Sequence, residues 1–135
     1  MAIERPCGML VPARGEPRML AEAYAIVCEA HDAVLALLRP GITCEEADRA
    51  ARDVIEAAGH GDNFLSRTGH GVGLEIHEEP YLRSGSTRTL EAGHVFSVEP
   101  SIAVDGRFGV RYENIVHLGT DGPELLNGAA RFHAL

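Results

Sequence analysis

Apolar positions in the first third of the chain recur every three to four residues. Leu20, Tyr24, Val27, Cys28, His31, Val34, Leu35 and Leu38 fall on one stripe, which predicts a helix. Pro17 sits near its first turn, where a missing N–H does no harm, and Pro40-Gly41 ends it. Thr43-Cys44-Glu45-Glu46 spells a capping box: the Thr43 hydroxyl can accept from the amide of Glu46, whose carboxylate can reach back to the cap. The helix so started runs to about Ala58. Its apolar face is Ala47, Ala50, Ala51, Val54 and Ile55, and Gly59 stands where a left-handed cap belongs. Such small side chains imply close packing against a sheet or the first helix. From Asp62 onward strands and turns take over. Val95 to Val104 reads as a strand, Asp105-Gly106 as a hairpin turn, Val110 to Leu118 as the return strand and Thr120-Asp121-Gly122-Pro123 as another turn. Residues 1–15 form an irregular lead-in with a short strand at Met9–Val11, and the tail to Leu135 carries no pattern. The expected class is α+β, two helices packed on an antiparallel sheet.

At 135 residues the length prior gives one domain. A formal charge of −8 argues against nucleic acid, whose phosphates need a basic face. No apolar run approaches the roughly 20 residues that span a bilayer, so no membrane partner is expected. Pro6, Pro12 and the charges Glu4, Arg5 and Arg14 do not read as a signal peptide. Cys7, Cys28 and Cys44 show no paired spacing and are read as packing residues in a reducing, cytoplasmic setting.

The chemistry concentrates in Thr68-Gly69-His70-Gly71-Val72-Gly73-Leu74-Glu75-Ile76-His77-Glu78-Glu79-Pro80. Gly69 and Gly71 make a glycine-rich turn in which backbone can approach closely and the His70 imidazole can project into a cleft. His77 falls at the rim of that cleft, and Glu78-Glu79 reads as a solvated loop. Glu99 and Glu113 lie on the two limbs of the hairpin. A turn near Asp105-Gly106 sets Glu99 across from Tyr112 or Glu113, and a one-residue bulge selects Glu113. Opposed carboxylates repel unless a cation or proton lies between them. Arg111, two residues from Glu113, shares its face and either braces a ligand carboxylate or forms a plain surface ion pair. His31, His60, His94, His117 and His133 are read as ordinary surface or core residues.

Three separated motifs resemble the pita-bread metallopeptidases (methionine aminopeptidase, prolidase, aminopeptidase P and creatinase), most closely the prolidase branch. They are Arg67-Thr68-Gly69-His70-Gly71-Val72-Gly73-Leu74-Glu75-Ile76-His77-Glu78, then Val95-Phe96-Ser97-Val98-Glu99-Pro100, then Gly109-Val110-Arg111-Tyr112-Glu113-Asn114. The resemblance covers about residues 16 to 127 and implies the second half of a pseudo-symmetric catalytic domain, so residues 16–135 are expected to be a truncated metallopeptidase-like domain. It implies cleavage of an N-terminal or Xaa-Pro bond of a peptide substrate with a divalent metal, manganese, cobalt or zinc. By resemblance His70, Glu99 and Glu113 are metal ligands, with Glu113 bridging. Glu99 doubles as acid/base, and His77 hydrogen-bonds substrate or the tetrahedral intermediate.

The chain departs from that pattern at two places. The family carries two aspartate ligands upstream of its first helix, and Met1 to Gly15 contains no aspartate. Ser66 stands where prolidase-like members have a histidine. The expectation is therefore a peptidase-like protein, impaired alone, holding one ion weakly rather than two. It is completed by an upstream half or self-associates as a homo-oligomer. The alternative is a metal- or peptide-binding module without turnover.

Overall fold

The computed structural model describes residues 11–12 and 17–128. Helix α1 (Pro17–Leu37) is followed by helix α2 (Cys44–Ala57) and a single 3-10 turn at Gly61–Asn63. The described residues also form eight strands: β1 (Val11–Pro12), β2 (Gly69–Gly71), β3 (Glu78–Leu82), β4 (Val95–Val98), β5 (Ser101–Val104), β6 (Phe108–Arg111), β7 (Asn114–Gly119) and β8 (Gly122–Leu125). They form a five-stranded sheet in the order β3-β2-β4-β7-β8 and a three-stranded sheet in the order β1-β6-β5, all pairs antiparallel. Two helices on antiparallel strands is the expected α+β arrangement. Of the expected strand at Met9–Val11 only Val11 falls among the described residues, where it pairs with Gly109.

Each helix follows its sequence signals. The α1 stripe is buried from Ala23 through Val34 to Leu38, and Gly41 leaves the helix at φ +98°. At the start of α2, Glu46 N–H donates to Thr43 Oγ1 (3.1 Å) and Thr43 N–H donates to Glu46 Oε2 (2.7 Å). This reciprocal box satisfies two end amides that the helix itself leaves unpaired. Gly59 takes φ +83° beyond the last turn. Ala47, Ala51 and Ile55 are fully buried where α2 packs on α1 and β3, while Ala50 and Val54 are half-buried. Cys28 and Cys44 are buried thiols, as their packing role requires, and burial pushes the Cys44 thiol up from its ordinary pKa.

The hairpin corrects one expectation. Each of its long limbs is broken into two strands that belong to different sheets. The breaks fall at Glu99-Pro100 on one limb and Tyr112-Glu113 on the other. Pro100 has no N–H to give a ladder. The pairing on either side nevertheless keeps one register, Val98 with Asn114 and Ser101 with Arg111. Carried through the gap, that register sets Glu99 across from Glu113 and Pro100 across from Tyr112, whose N–H donates to Pro100 O (3.3 Å). The opposition of the two glutamates needs no bulge, because the turn consumes three residues, Asp105 to Arg107, between Val104 and its partner Phe108. Glu78 and Glu79 also differ from expectation: they begin strand β3 rather than a loop, with Glu79 exposed and Glu78 half-buried.

Candidate metal centre

His70 lies on the short strand β2, between β3 and β4, and not in a turn. The flanking glycines are required by crowding rather than by a turn. A Cβ on Gly69 would run into the Ser97 carbonyl, and one on Gly71 into the carbonyls of Glu78 and Glu79. A Gly-His-Gly triplet therefore lets two neighbouring backbones close on the one residue that keeps a side chain.

That side chain is buried and held at two points, and the backbone of His70 at a third. His70 N–H donates to Ser97 Oγ (3.1 Å), and Ser97 Oγ donates to Glu99 Oε1 (2.8 Å). The ring pairs its Nδ1 with Gly71 O (2.9 Å) and its Nε2 with Glu99 Oε1 (2.9 Å). A carbonyl oxygen only accepts, so Nδ1 must carry a proton. In the neutral ring the Nε2 lone pair then points at a carboxylate oxygen. Two electron-rich atoms at that separation need a proton or a cation between them. The other Glu99 oxygen meets Arg111 Nη1 (3.2 Å). Arg111 is 45% exposed, so its head stays in contact with water while bracing a buried acid.

His77, expected at the rim, is exposed, and its ring centre lies 4.4 Å from that of His70 in an edge-on contact. Glu113 is half-buried across the strand gap from Glu99. His70, Glu99, Arg111 and His77 thus meet at one place, with Glu113 set opposite by register. Among the described residues no group of three or more His, Cys, Asp or Glu side chains is arranged to hold an ion. The donor chemistry of the meeting pair still fits a divalent metal. The Gly71 carbonyl fixes the tautomer that leaves Nε2 free to ligate, the outer-shell contact metal-binding histidines ordinarily have, and Glu99 presents an oxygen beside it. Ser66 pairs its Oγ with Ser101 Oγ (3.1 Å).

Sequence reasoning missed Ser97, Thr68, Asp48 and Arg52. Asp48 is 1% exposed within the buried stripe of α2. Its Oδ2 accepts from Arg52 Nε (2.6 Å), and its Oδ1 accepts from Thr68 Oγ1 (2.8 Å) and Thr68 N–H (3.2 Å). Arg52 also donates to Phe64 O (2.9 Å) and Ser66 O (2.7 Å), and its guanidinium lies 4.3 Å above the Phe64 ring. The signal was present: an acidic residue four positions before an arginine, on the apolar side of a helix.

The comparisons with known proteins bear on the family and the fold. The family model described as metallopeptidase family M24 matches residues 7–120. A probable dipeptidase PepE of Mycobacterium tuberculosis is 45% identical over 114 residues, covering 84% of this chain and 30% of the relative. An Xaa-Pro dipeptidase of Lactobacillus helveticus is 44% identical over 101 residues, 75% of this chain and 27% of the relative. Among solved structures, a recombinant prolidase from Thermococcus sibiricus superposes with a TM-score of 0.81 at 40% identity, over 84% of this chain and 31% of that one. The chain thus spans about three tenths of the length of the proteins it matches, and it corresponds to the C-terminal part of a pita-bread domain.

Proposed function

The chain belongs to metallopeptidase family M24, and on that footing we propose that it carries the histidine–glutamate share of a divalent-metal peptidase site acting on Xaa-Pro peptides. His70 Nε2, Glu99 and Glu113 are the ligands, Arg111 braces Glu99, and the ion is manganese, cobalt or zinc. The observation that carries this reading is the 2.9 Å approach of His70 Nε2 to Glu99 Oε1 with Nδ1 already committed to Gly71 O. When bound, such an ion supplies Lewis acidity and a nucleophilic water at neutral pH. The chain's own groups supply the rest. Glu99 sits where a carboxylate can take a proton and return it to a leaving amine. His77 is exposed against His70 and offers an N–H to a substrate carbonyl oxygen.

With only one imidazole and two carboxylates, the isolated chain holds a single ion weakly and turns over slowly. An upstream segment supplying two aspartates completes the site. A cytoplasmic peptidase acting on short peptides suits this reading: the two described cysteines are buried reduced thiols, and no helix of the described residues is long and apolar enough to cross a membrane.

The test is manganese titration of the purified chain, alongside hydrolysis of an Xaa-Pro dipeptide with and without a co-expressed upstream segment from an M24 relative. One weak manganese site, lost in His70→Ala and in Glu113→Ala, is expected, with turnover appearing only on complementation. Two tight sites, or vigorous hydrolysis by the chain alone, would overturn the impaired reading. Binding without turnover in every combination would favour a peptide- or metal-binding module.

A further inference from the structure

Glu99 lies one residue beyond β4, and β4 pairs with β7 only as far as Val98 and Asn114. The next residue is Pro100, which has no N–H. The Glu99 backbone is therefore held by its own N–H, which donates to Thr68 O (2.7 Å). Thr68 is fully buried; its hydroxyl donates to one oxygen of Asp48 (2.8 Å), and its N–H is shared between Leu82 O (2.9 Å) and that same oxygen (3.2 Å). Asp48 is in turn fixed by Arg52, which grips the carbonyls of Phe64 and Ser66 just upstream of Thr68. A continuous path runs from a buried carboxylate on α2, through one threonine, to the amide of the acid that faces His70.

We propose that Asp48 and Thr68 are positioning residues: they set where the Glu99 carboxylate stands relative to the His70 imidazole. This deepens the metal-site reading above and rests on it for its functional consequence. The physical reason is geometric. A ligand carboxylate in a break between two strands moves with its own backbone, and the Glu99 N–H has Thr68 O as its partner there. Groups that hold metal ligands in orientation typically change metal affinity 10- to 100-fold when removed. Thr68 does so through the main chain, and Asp48 holds Thr68 chiefly through its hydroxyl, a hydrogen bond to a charged acceptor, the strong kind. The Asp48 charge is neutralised by Arg52, so the anchor adds no net charge beside the candidate site.

The experiment uses the full chain and four forms: wild type, Thr68→Val, Thr68→Ser and Asp48→Asn. Thr68→Val is nearly isosteric and removes the hydroxyl, Thr68→Ser retains it, and Asp48→Asn removes the charge but leaves one acceptor oxygen. Two readouts are taken: amide hydrogen exchange by NMR without metal, and manganese affinity by calorimetry. In Thr68→Val and Asp48→Asn the Glu99 amide should exchange at least about tenfold faster, with the β4–β7 amides unchanged. Manganese affinity should fall about tenfold, and Thr68→Ser should restore both. Exchange that rises equally across the whole sheet would make the network merely structural and sink the proposal, as would unchanged manganese affinity in folded Thr68→Val. If wild type binds no manganese, the metal-site reading fails. The Glu99 exchange result then decides positioning by itself, since selective loss of protection supports the anchor and its absence refutes it.

Discussion

The fold buries two carboxylates about equally well and treats them in opposite ways. Asp48 is 1% exposed and Glu99 8% exposed. Around Asp48 every partner is a fixed donor: a guanidinium, a hydroxyl and an amide. Around Glu99 one partner is a hydroxyl, one is an arginine open to water, and one is the Nε2 of an imidazole whose Nδ1 is paired with a backbone carbonyl. The first carboxylate is closed: both of its oxygens already accept from donors of the protein itself. The second is open: it meets an imidazole nitrogen that needs a proton or a cation between the two atoms. Burial alone does not separate a structural charge from a functional one, but the donor–acceptor inventory does.

The sharpest way to test that contrast is to remove each carboxylate in turn. Asp48→Ala takes the acceptor from the buried Thr68 hydroxyl and the counter-charge from Arg52, whose guanidinium keeps only the Phe64 and Ser66 carbonyls, while Thr68 N–H keeps Leu82 O. Removing one partner of a buried pair costs roughly 3–5 kcal/mol, so chemical denaturation should show a loss of that order. Glu99→Gln should cost less than about 1 kcal/mol, because Arg111 turns to water and an exposed partner contributes little. Equal losses from the two would erase the distinction between closed and open. The next largest effect belongs to the open site alone. Manganese at about 100 times its dissociation constant should stabilise the chain by roughly 2.7 kcal/mol. A thermal melt should show the rise in wild type and in Thr43→Ala but not in His70→Ala or Glu99→Gln. A rise that survives loss of His70 would place the ion elsewhere.

The same contrast explains what could be read from residues alone. The helices were legible because their signals are local. The Thr43–Glu46 box, Pro40-Gly41, Gly59 and the stripe from Leu20 to Leu38 each act within a few residues, and each appears where it was expected. The candidate site was legible as a set of residue types through its three motifs, but not as geometry. The Gly69-His70-Gly71 triplet has the composition of a turn, and only the closeness of the Ser97 and Glu79 backbones makes it a central strand. The division of the hairpin at Glu99 and Glu113 follows from which sheet each half joins, a choice made by contacts distant in sequence. Asp48 went unread for a similar reason. On a helix wheel it is a polar residue spoiling an apolar face, and its meaning depends on Thr68, twenty positions later.

A local signal should also fail locally, and the α2 cap gives the smallest effects. Thr43→Ala removes the oxygen that accepts from Glu46 N–H and should cost about 1 kcal/mol, read from denaturant midpoints, without altering metal binding. Glu46 adds a pH dependence of definite sign. The Thr43 backbone N–H, and then its hydroxyl, hold the Glu46 carboxyl below its ordinary pKa in the folded chain. A folded value below the unfolded one means that the unfolded chain takes up the proton first as pH falls. The stabilisation is therefore complete above the ordinary carboxylate range and disappears as pH drops through the lowered value. Glu46→Gln keeps an acceptor for the Thr43 amide but cannot titrate. Melts from about pH 6 to about pH 3 should show a smaller fall in Tm for the variant than for wild type, the two curves converging at the acid end. Parallel curves would mean that the box holds the end of α2 without help from its charge, and the cap would then act through hydrogen-bond geometry alone.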